Sequence, residues 1–340
     1  TARAYLVPAM HRPNLKVMTS IDVHKILFKN NTAIGIKVSK KNQYHKPFYL
    51  KAAKEIILSA GVIGSPAILQ RSGIGPKNHL QKLNIPVLRN LPGVGENLQD
   101  HYVVRITYKV KGIQTLNERS QGLGLFKEVA KYIFEGTGAL TYSAALLGAF
   151  VKANPLSSTP DTQFVISPGS FKSGRLGELD DFPGLTCGFW QMRPSSRGNV
   201  HLADPSPLTP PKIHPGYLTT QEDRDAVITG LKYARRLCQT DALSAYCEQE
   251  MIPGISACSD EELLQYARTN GSTVYHAVGT CKMGVDIDAV VNSKLKVRGI
   301  EGLRVVDASI MPNITSTNTN SATIMIAEKA SDMTLQSMNE

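Results

Sequence analysis

The 340-residue sequence has no uncharged apolar run long enough to span a bilayer. Its longest candidate, Gly136 to Val151, is diluted by Thr137, Thr141, Tyr142 and Ser143, whereas a spanning helix needs about 20 apolar residues. Cysteine is scarce. Cys187, Cys238, Cys247, Cys258 and Cys281 are odd in number and form no C-x-x-C, which excludes zinc clusters and C-x-x-C redox motifs and leaves no metal site to expect. Cys238, Cys247 and Cys258 could supply one disulfide in an oxidising compartment; isolated buried thiols are the other reading. Repeats and low-complexity segments are absent as well. With 42% hydrophobic and 19% charged residues, the composition is globular and excludes a disordered tail, a collagen or a linker.

Acidic residues are the minority, 28 Asp and Glu against 38 Lys and Arg, so the net charge is +10. Residues 1–60 hold eleven Lys and Arg against only Asp22 and Glu55. Those lysines alternate with Val, Ile and Leu as on the wet face of a sheet. No DNA- or RNA-binding motif accompanies them, so nucleic acid is not an expected partner.

The first 60 residues read as β-structure. Leu15–Thr19, Val23–Phe28 and Ala33–Val38 are β-branched or alternating runs, and Asn30-Asn31 marks a hairpin between the last two. Lys54–Leu58 reads as a further strand, buried on both faces. It runs into Ser59-Ala60-Gly61-Val62-Ile63-Gly64-Ser65-Pro66. A helix is predicted from about Ser65 to Arg71, with Ser65 as N-cap, Pro66 in the first helical position and Gly73 ending it at positive φ. Such a junction brings backbone N–H groups within reach of an anion or a cofactor ring. From Tyr102 to about residue 270 the texture changes. Predicted helices (Gly122–Phe134, Thr220–Gln239, Asp260–Asn270) alternate with strands (Tyr102–Val110, Gln163–Ile166, Leu185–Met192, Asn199–Leu202) and Pro-rich loops, as in a domain inserted into the first. A strand at Leu303–Val306 and a helix from about Asn320 to Leu335 return to the first domain. The fold class is α/β (α+β).

Few residues carry chemistry. His276 stands among Gly, Thr and small residues, suited to proton transfer near its reference pKa of about 6.5; alone, it reads more readily as a structural histidine. Asn318 and Asn320, in Thr315–Ser321, read by themselves as a helix cap. The combination is more specific. Gly61–Pro76, Pro92–His101, Arg193–Gly198, Tyr275–Gly284 and Val305–Pro312 occur in that order, followed by the Asn318–Asp332 helix. Together they resemble the glucose–methanol–choline (GMC) oxidoreductases, flavoproteins that oxidise alcohols. The resemblance runs from Arg3 to about Met333 and is closest to the insect glucose-dehydrogenase-like branch.

The resemblance implies an FAD-binding domain made of residues 1–101 and 273–340, with a sheet-plus-helices substrate domain, residues 102–272, inserted in it. It implies hydride transfer from an alcohol to the flavin N5, His276 as general base and Asn318 orienting the substrate oxygen. Cofactor contacts would come from Val23 near the adenine, and from Ser59, Ala60 and Gly61 near the ribose and pyrophosphate. Tyr275 would lie by the isoalloxazine, Asp307 and Ala308 by the ribityl chain and pyrophosphate, Thr319 and Asn320 at the flavin pyrimidine, and Asn97 and Asp100 in the flavin-side loop. Arg193 and Arg197 match a segment of structural character. The electron acceptor would be quinone-like or O₂, the oligomeric state stays open, and an extracellular location is expected from the family branch. Members open with a G-x-G-x-x-G βαβ unit that cradles the FAD pyrophosphate. None occurs here, and residue 1 is Thr, so the chain is expected to be the C-terminal part of a member and to hold FAD weakly by itself. Two other readings are a hydroxynitrile-lyase-like enzyme that keeps FAD without redox chemistry, and a non-catalytic relative.

Overall fold

The computed structural model describes residues 1–143, 145–172 and 178–339. The first sheet is an antiparallel meander of β1 (Ile21–Lys29), β2 (Thr32–Lys40) and β3 (Phe48–Lys51). Asn30, at φ +54°, makes the turn predicted between β1 and β2, a left-handed conformation that asparagine tolerates. Leu15–Thr19 is not a strand: it is exposed and has no partner strand.

β4 (Ile56–Leu58) lies parallel to β11 (Leu303–Val305), with Leu303 opposite Ile56 and Val305 opposite Leu58. This pairing joins the two ends of the chain. β4 is not buried on both faces, since Ile57 is 47% exposed. Helix α1 follows as Gly61–Arg71, starting four residues earlier than predicted, so Ser65 and Pro66 lie inside it. Proline there removes one backbone donor and would orphan the carbonyl four residues back. That carbonyl belongs to Val62, and the Thr280 hydroxyl donates to it at 2.6 Å. Gly73 sits at φ +84° just past the helix, as expected; a Cβ there would lie 2.5 Å from the Pro86 carbonyl oxygen. One hydrophobic core gathers Ile26, Leu58, Leu69, Val278, Val305 and Ile326, residues from both ends of the sequence. Arg304 is 1% exposed within this region. Its guanidinium meets Glu55 at 2.9 Å, the Lys294 carbonyl at 2.7 Å and the Ser337 hydroxyl at 2.8 Å.

The middle of the chain builds a second sheet, antiparallel at each of its pairings. It comprises β5 (Tyr102–Val110), β6 (Leu147–Val151), β7 (Thr162–Ser167), β8 (Gly184–Gln191), β9 (Cys247–Ile252) and the short β10 (Ser272–Thr273). The order is β9-β5-β8-β7-β6, with β10 also paired to β5. Helix α2 (Gly122–Glu135) precedes β6. Helices α3 (Gln221–Cys238) and α4 (Asp260–Asn270) pack a second core of Ile106, Phe164, Phe189, Leu231 and Leu263. The helix starts follow local chemistry: Thr220 caps α3, and Ser259 with Glu262 forms a capping box on α4. Gly230 lets α3 approach the sheet, because a Cβ there would fall 2.1 Å from the Phe189 ring. The last helix, α5, spans Asn320–Asn339. No helix among the described residues is long and apolar enough to cross a membrane.

Candidate active site

Two short pieces of chain enter the site side by side. β10 pairs with the start of β5, placing Thr273 opposite Tyr102, so Asp100-His101 and Tyr275-His276 leave adjacent strands. A bridge between Gln99 and Val278 continues the pairing. A third piece, 312–318, is sewn to them by the Gln99 side chain. Its amide donates to the Pro312 carbonyl at 3.0 Å, and its oxygen accepts from the Ile314 N–H at 3.1 Å.

His276 and Asn318, nominated from the sequence, meet here, with the Asn318 Nδ2 lying 3.0 Å from the His276 Nε2. The opposite ring nitrogen of His276, Nδ1, is 3.0 Å from the Nδ1 of His101. The other His101 nitrogen, Nε2, is 3.0 Å from the Met192 carbonyl oxygen. Trp190 packs beside both rings, at 6.0 Å from His101 and 5.9 Å, edge-on, from His276. Asp100 holds the backbone beneath them. Its Oδ1 accepts from the His276 N–H at 3.0 Å, and its Oδ2 accepts from the Thr273 hydroxyl at 2.5 Å and the Tyr217 hydroxyl at 2.6 Å. Burial lowers the pKa of His276 below the ordinary value, with the Asp100 carboxylate pulling the other way. His101 is fully buried. Burial, opposed by its bond to the Met192 carbonyl, brings its pKa to about 4. Both rings are therefore neutral at neutral pH.

The other nominated residues fall into two groups. Ser59, Ala60 and Gly61 lie at the C-terminal end of β4, and Asp307 and Ala308 at the C-terminal end of β11, the edge where open α/β sheets bind ligands. The Asp307 carboxylate is engaged by the chain itself. Its Oδ2 accepts from the Gly61 N–H at 2.9 Å and the Ser65 hydroxyl at 2.6 Å, and its Oδ1 from the Ser309 N–H at 2.8 Å. It thereby clamps the β4–α1 turn to the end of β11. Ala308 reaches the His276 segment through its carbonyl, which accepts from the Gly279 N–H at 3.3 Å. Asn97, at φ +61°, is likewise a clamp. Its amide donates to the Pro312 carbonyl at 3.1 Å, and its oxygen accepts from Arg197 at 3.1 Å. Arg193 donates to Ser316 at 3.1 Å and to the Pro160 carbonyl at 2.7 Å, so both arginines serve the fold. Thr319 is buried, whereas Asn318 and Asn320 at the start of α5 are exposed. Val23 is the outlier. It sits in β1, whose neighbouring residues His24 and Ile26 bond to Arg71 and Ser72 at the far end of α1.

The residues present suit a flavin. Tyr275 is 76% exposed and held at φ +62° directly before the buried His276, which leaves an aromatic face open for a flat conjugated ring. Gly61, at φ +77°, has nothing within 4 Å of where a Cβ would stand, so the turn leaves open space beside its backbone, while its N–H is held by Asp307. The exposed start of α5 adds backbone N–H groups free of intrahelical partners. His101, Gln99 and Trp190 were not nominated as site residues, and Asp100 was nominated only for the flavin-side loop. The adjacent Asp100-His101 pair and the single tryptophan were visible in the sequence, but nothing local tied them to His276.

Sequence models of one family, described as GMC oxidoreductase, match residues 1–103 and 194–327. The chain is similar to an alcohol dehydrogenase (acceptor) of Pseudomonas putida, 36% identical over 345 residues that cover 100% of this chain and 61% of that one. It is 37% identical to an oxygen-dependent choline dehydrogenase of Cronobacter sakazakii, over 98% of this chain and 59% of the other. Among solved structures, an FAD-dependent oxidoreductase from Chaetomium thermophilum superimposes with a TM-score of 0.88 at 25% identity, covering 99% of this chain and 64% of that one. The chain thus spans about three fifths of the length of the curated relatives it matches.

Proposed function

The chain belongs to the glucose–methanol–choline oxidoreductase family, and from that premise we propose that it carries the proton-handling pair of an FAD-dependent enzyme oxidising a CH–OH donor. The observation that supports this most is the contact of the His276 Nε2 with the Asn318 amide, beside the open Tyr275 face. FAD, when bound, supplies the acceptor for a hydride from the alcohol carbon. Tyr275, Ser59, Ala60, Gly61, Ala308, Thr319 and Asn320 would hold it, with Asp307 and Asn97 shaping their loops and Val23 at the adenine end.

A hydroxyl that displaces the Asn318–His276 contact meets an acceptor on one side and a donor on the other. His276, neutral and buried, takes the hydroxyl proton, and the carbon gives up hydride more readily as its oxygen gains alkoxide character. A placed general base contributes ~10²–10⁴ in rate. Asn318 has no basic atom. Its N–H donates to the substrate oxygen and steadies the charge that develops there. Residues 102–272 are read as the substrate side and 1–101 with 273–340 as the cofactor side. The names of the bacterial relatives, an alcohol and a choline dehydrogenase, support an alcohol as substrate. The finer likeness to the insect glucose-dehydrogenase branch rests on the motif run alone. The electron acceptor is proposed to be quinone-like or O₂.

The test is single-turnover reduction of bound flavin by an alcohol, in an enzyme that joins this chain to a G-x-G-x-x-G segment. His276→Ala is expected to slow the bleaching by at least about two orders of magnitude with FAD still bound. Near-normal bleaching would remove His276 from the role of base.

A further inference from the structure

We propose that His101 is a positioning residue that fixes the tautomer of His276, placing its proton on Nδ1 and leaving the Nε2 lone pair for the substrate hydroxyl. The inference rests on His276 being the base. The argument runs outward from a backbone carbonyl. The oxygen of Met192 can only accept, and it lies 3.0 Å from the His101 Nε2. The His101 proton therefore sits on Nε2. His101 is fully buried, so no solvent satisfies the opposite arrangement, which would set two acceptors against each other. A neutral imidazole has one N–H, so the His101 Nδ1 is an acceptor. Among the described residues, the donor that meets it is the His276 Nδ1, at 3.0 Å. His276, neutral in turn, has its second nitrogen bare, and the Asn318 amide N–H points at that atom from 3.0 Å. One carbonyl on β8's end thus propagates a proton order through two rings to the reacting edge.

The order matters because an isolated histidine prefers the proton on Nε2. In that form His276 would offer an N–H to the hydroxyl and could not accept its proton. Trp190, 3% exposed, packs beside both rings and adds to the burial of the link.

The experiment is a long-range ¹H–¹⁵N correlation spectrum of the 340-residue protein, labelled at its eight histidines, at neutral pH. The His276 signals are assigned by their loss in His276→Gln. The expected wild-type pattern is a protonated Nδ1 and a bare Nε2 on His276, with the reverse on His101. In His101→Phe, the His276 proton is expected to move predominantly to Nε2. A wild-type His276 protonated on Nε2 would overturn the inference without any variant having to fold; so would an unchanged His276 tautomer in a folded His101→Phe. The spectrum needs no flavin. Failure of an alcohol to bleach bound flavin strikes the redox reading alone, whereas the wrong tautomer strikes this inference alone.

Discussion

Acid should unfold this protein partly through His101, and the size of the effect follows from its burial. The ring is fully buried, with a pKa of about 4, against about 6.5 in an unfolded chain. As pH falls below the unfolded value, the unfolded chain takes up a proton that the folded protein refuses. Stability is therefore lost between about pH 6.5 and pH 4, with no further loss below the folded pKa. The full span corresponds to roughly 3 kcal/mol, of which about 2 kcal/mol is lost between pH 7 and pH 5. The perturbation is His101→Gln, which removes the titrating ring and keeps a polar side chain. Burial also lowers the pKa of His24 and His79, which are present in both proteins and cancel in the comparison, whereas His276 is bonded to His101 and any change in its own lowered pKa counts within the measured difference. Urea unfolding at pH 7, 6 and 5 gives the difference directly. The variant is expected to be less stable at pH 7 and to lose about 2 kcal/mol less than the wild type on going to pH 5. Parallel curves would show that His101 is not a buried neutral ring, which would undo the reasoning.

Arg304→Met should cost about 3 kcal/mol in urea unfolding, because it strands the Glu55 carboxylate and releases Ser337 of α5; unchanged stability would refute the buried pair. Gly230→Ala places a Cβ 2.1 Å from the Phe189 ring and should lower stability by about 1–3 kcal/mol in thermal unfolding, with a neutral result arguing against the close approach of α3 to the sheet. Mixed with FAD and passed through gel filtration, the 340-residue chain should emerge colourless, since it contains no G-x-G-x-x-G; a stoichiometric yellow protein would contradict that.

The parts of the fold that were legible in the sequence are those set by local chemistry. The Asn30 turn, the glycine stop after α1 and the helices over 220–239 and 260–270 follow from backbone preference and spacing within a few residues, and the structure has all of them. The motif order singled out His276 and Asn318. Pro66 shows where local rules fail: it reads as a helix start, yet α1 runs through it, because a threonine 218 positions from Val62 satisfies the freed carbonyl. Leu15–Thr19 has a strand's composition and no partner. Tertiary structure alone decided that His101 lies against His276 across 175 residues, that Asp100 gathers donors from Tyr217, Thr273 and the His276 backbone, and that Asp307 serves the chain's own turn. A proton's place on a ring depends on which acceptor is 3 Å away, and periodicity along one segment carries no record of a neighbour that arrives from another.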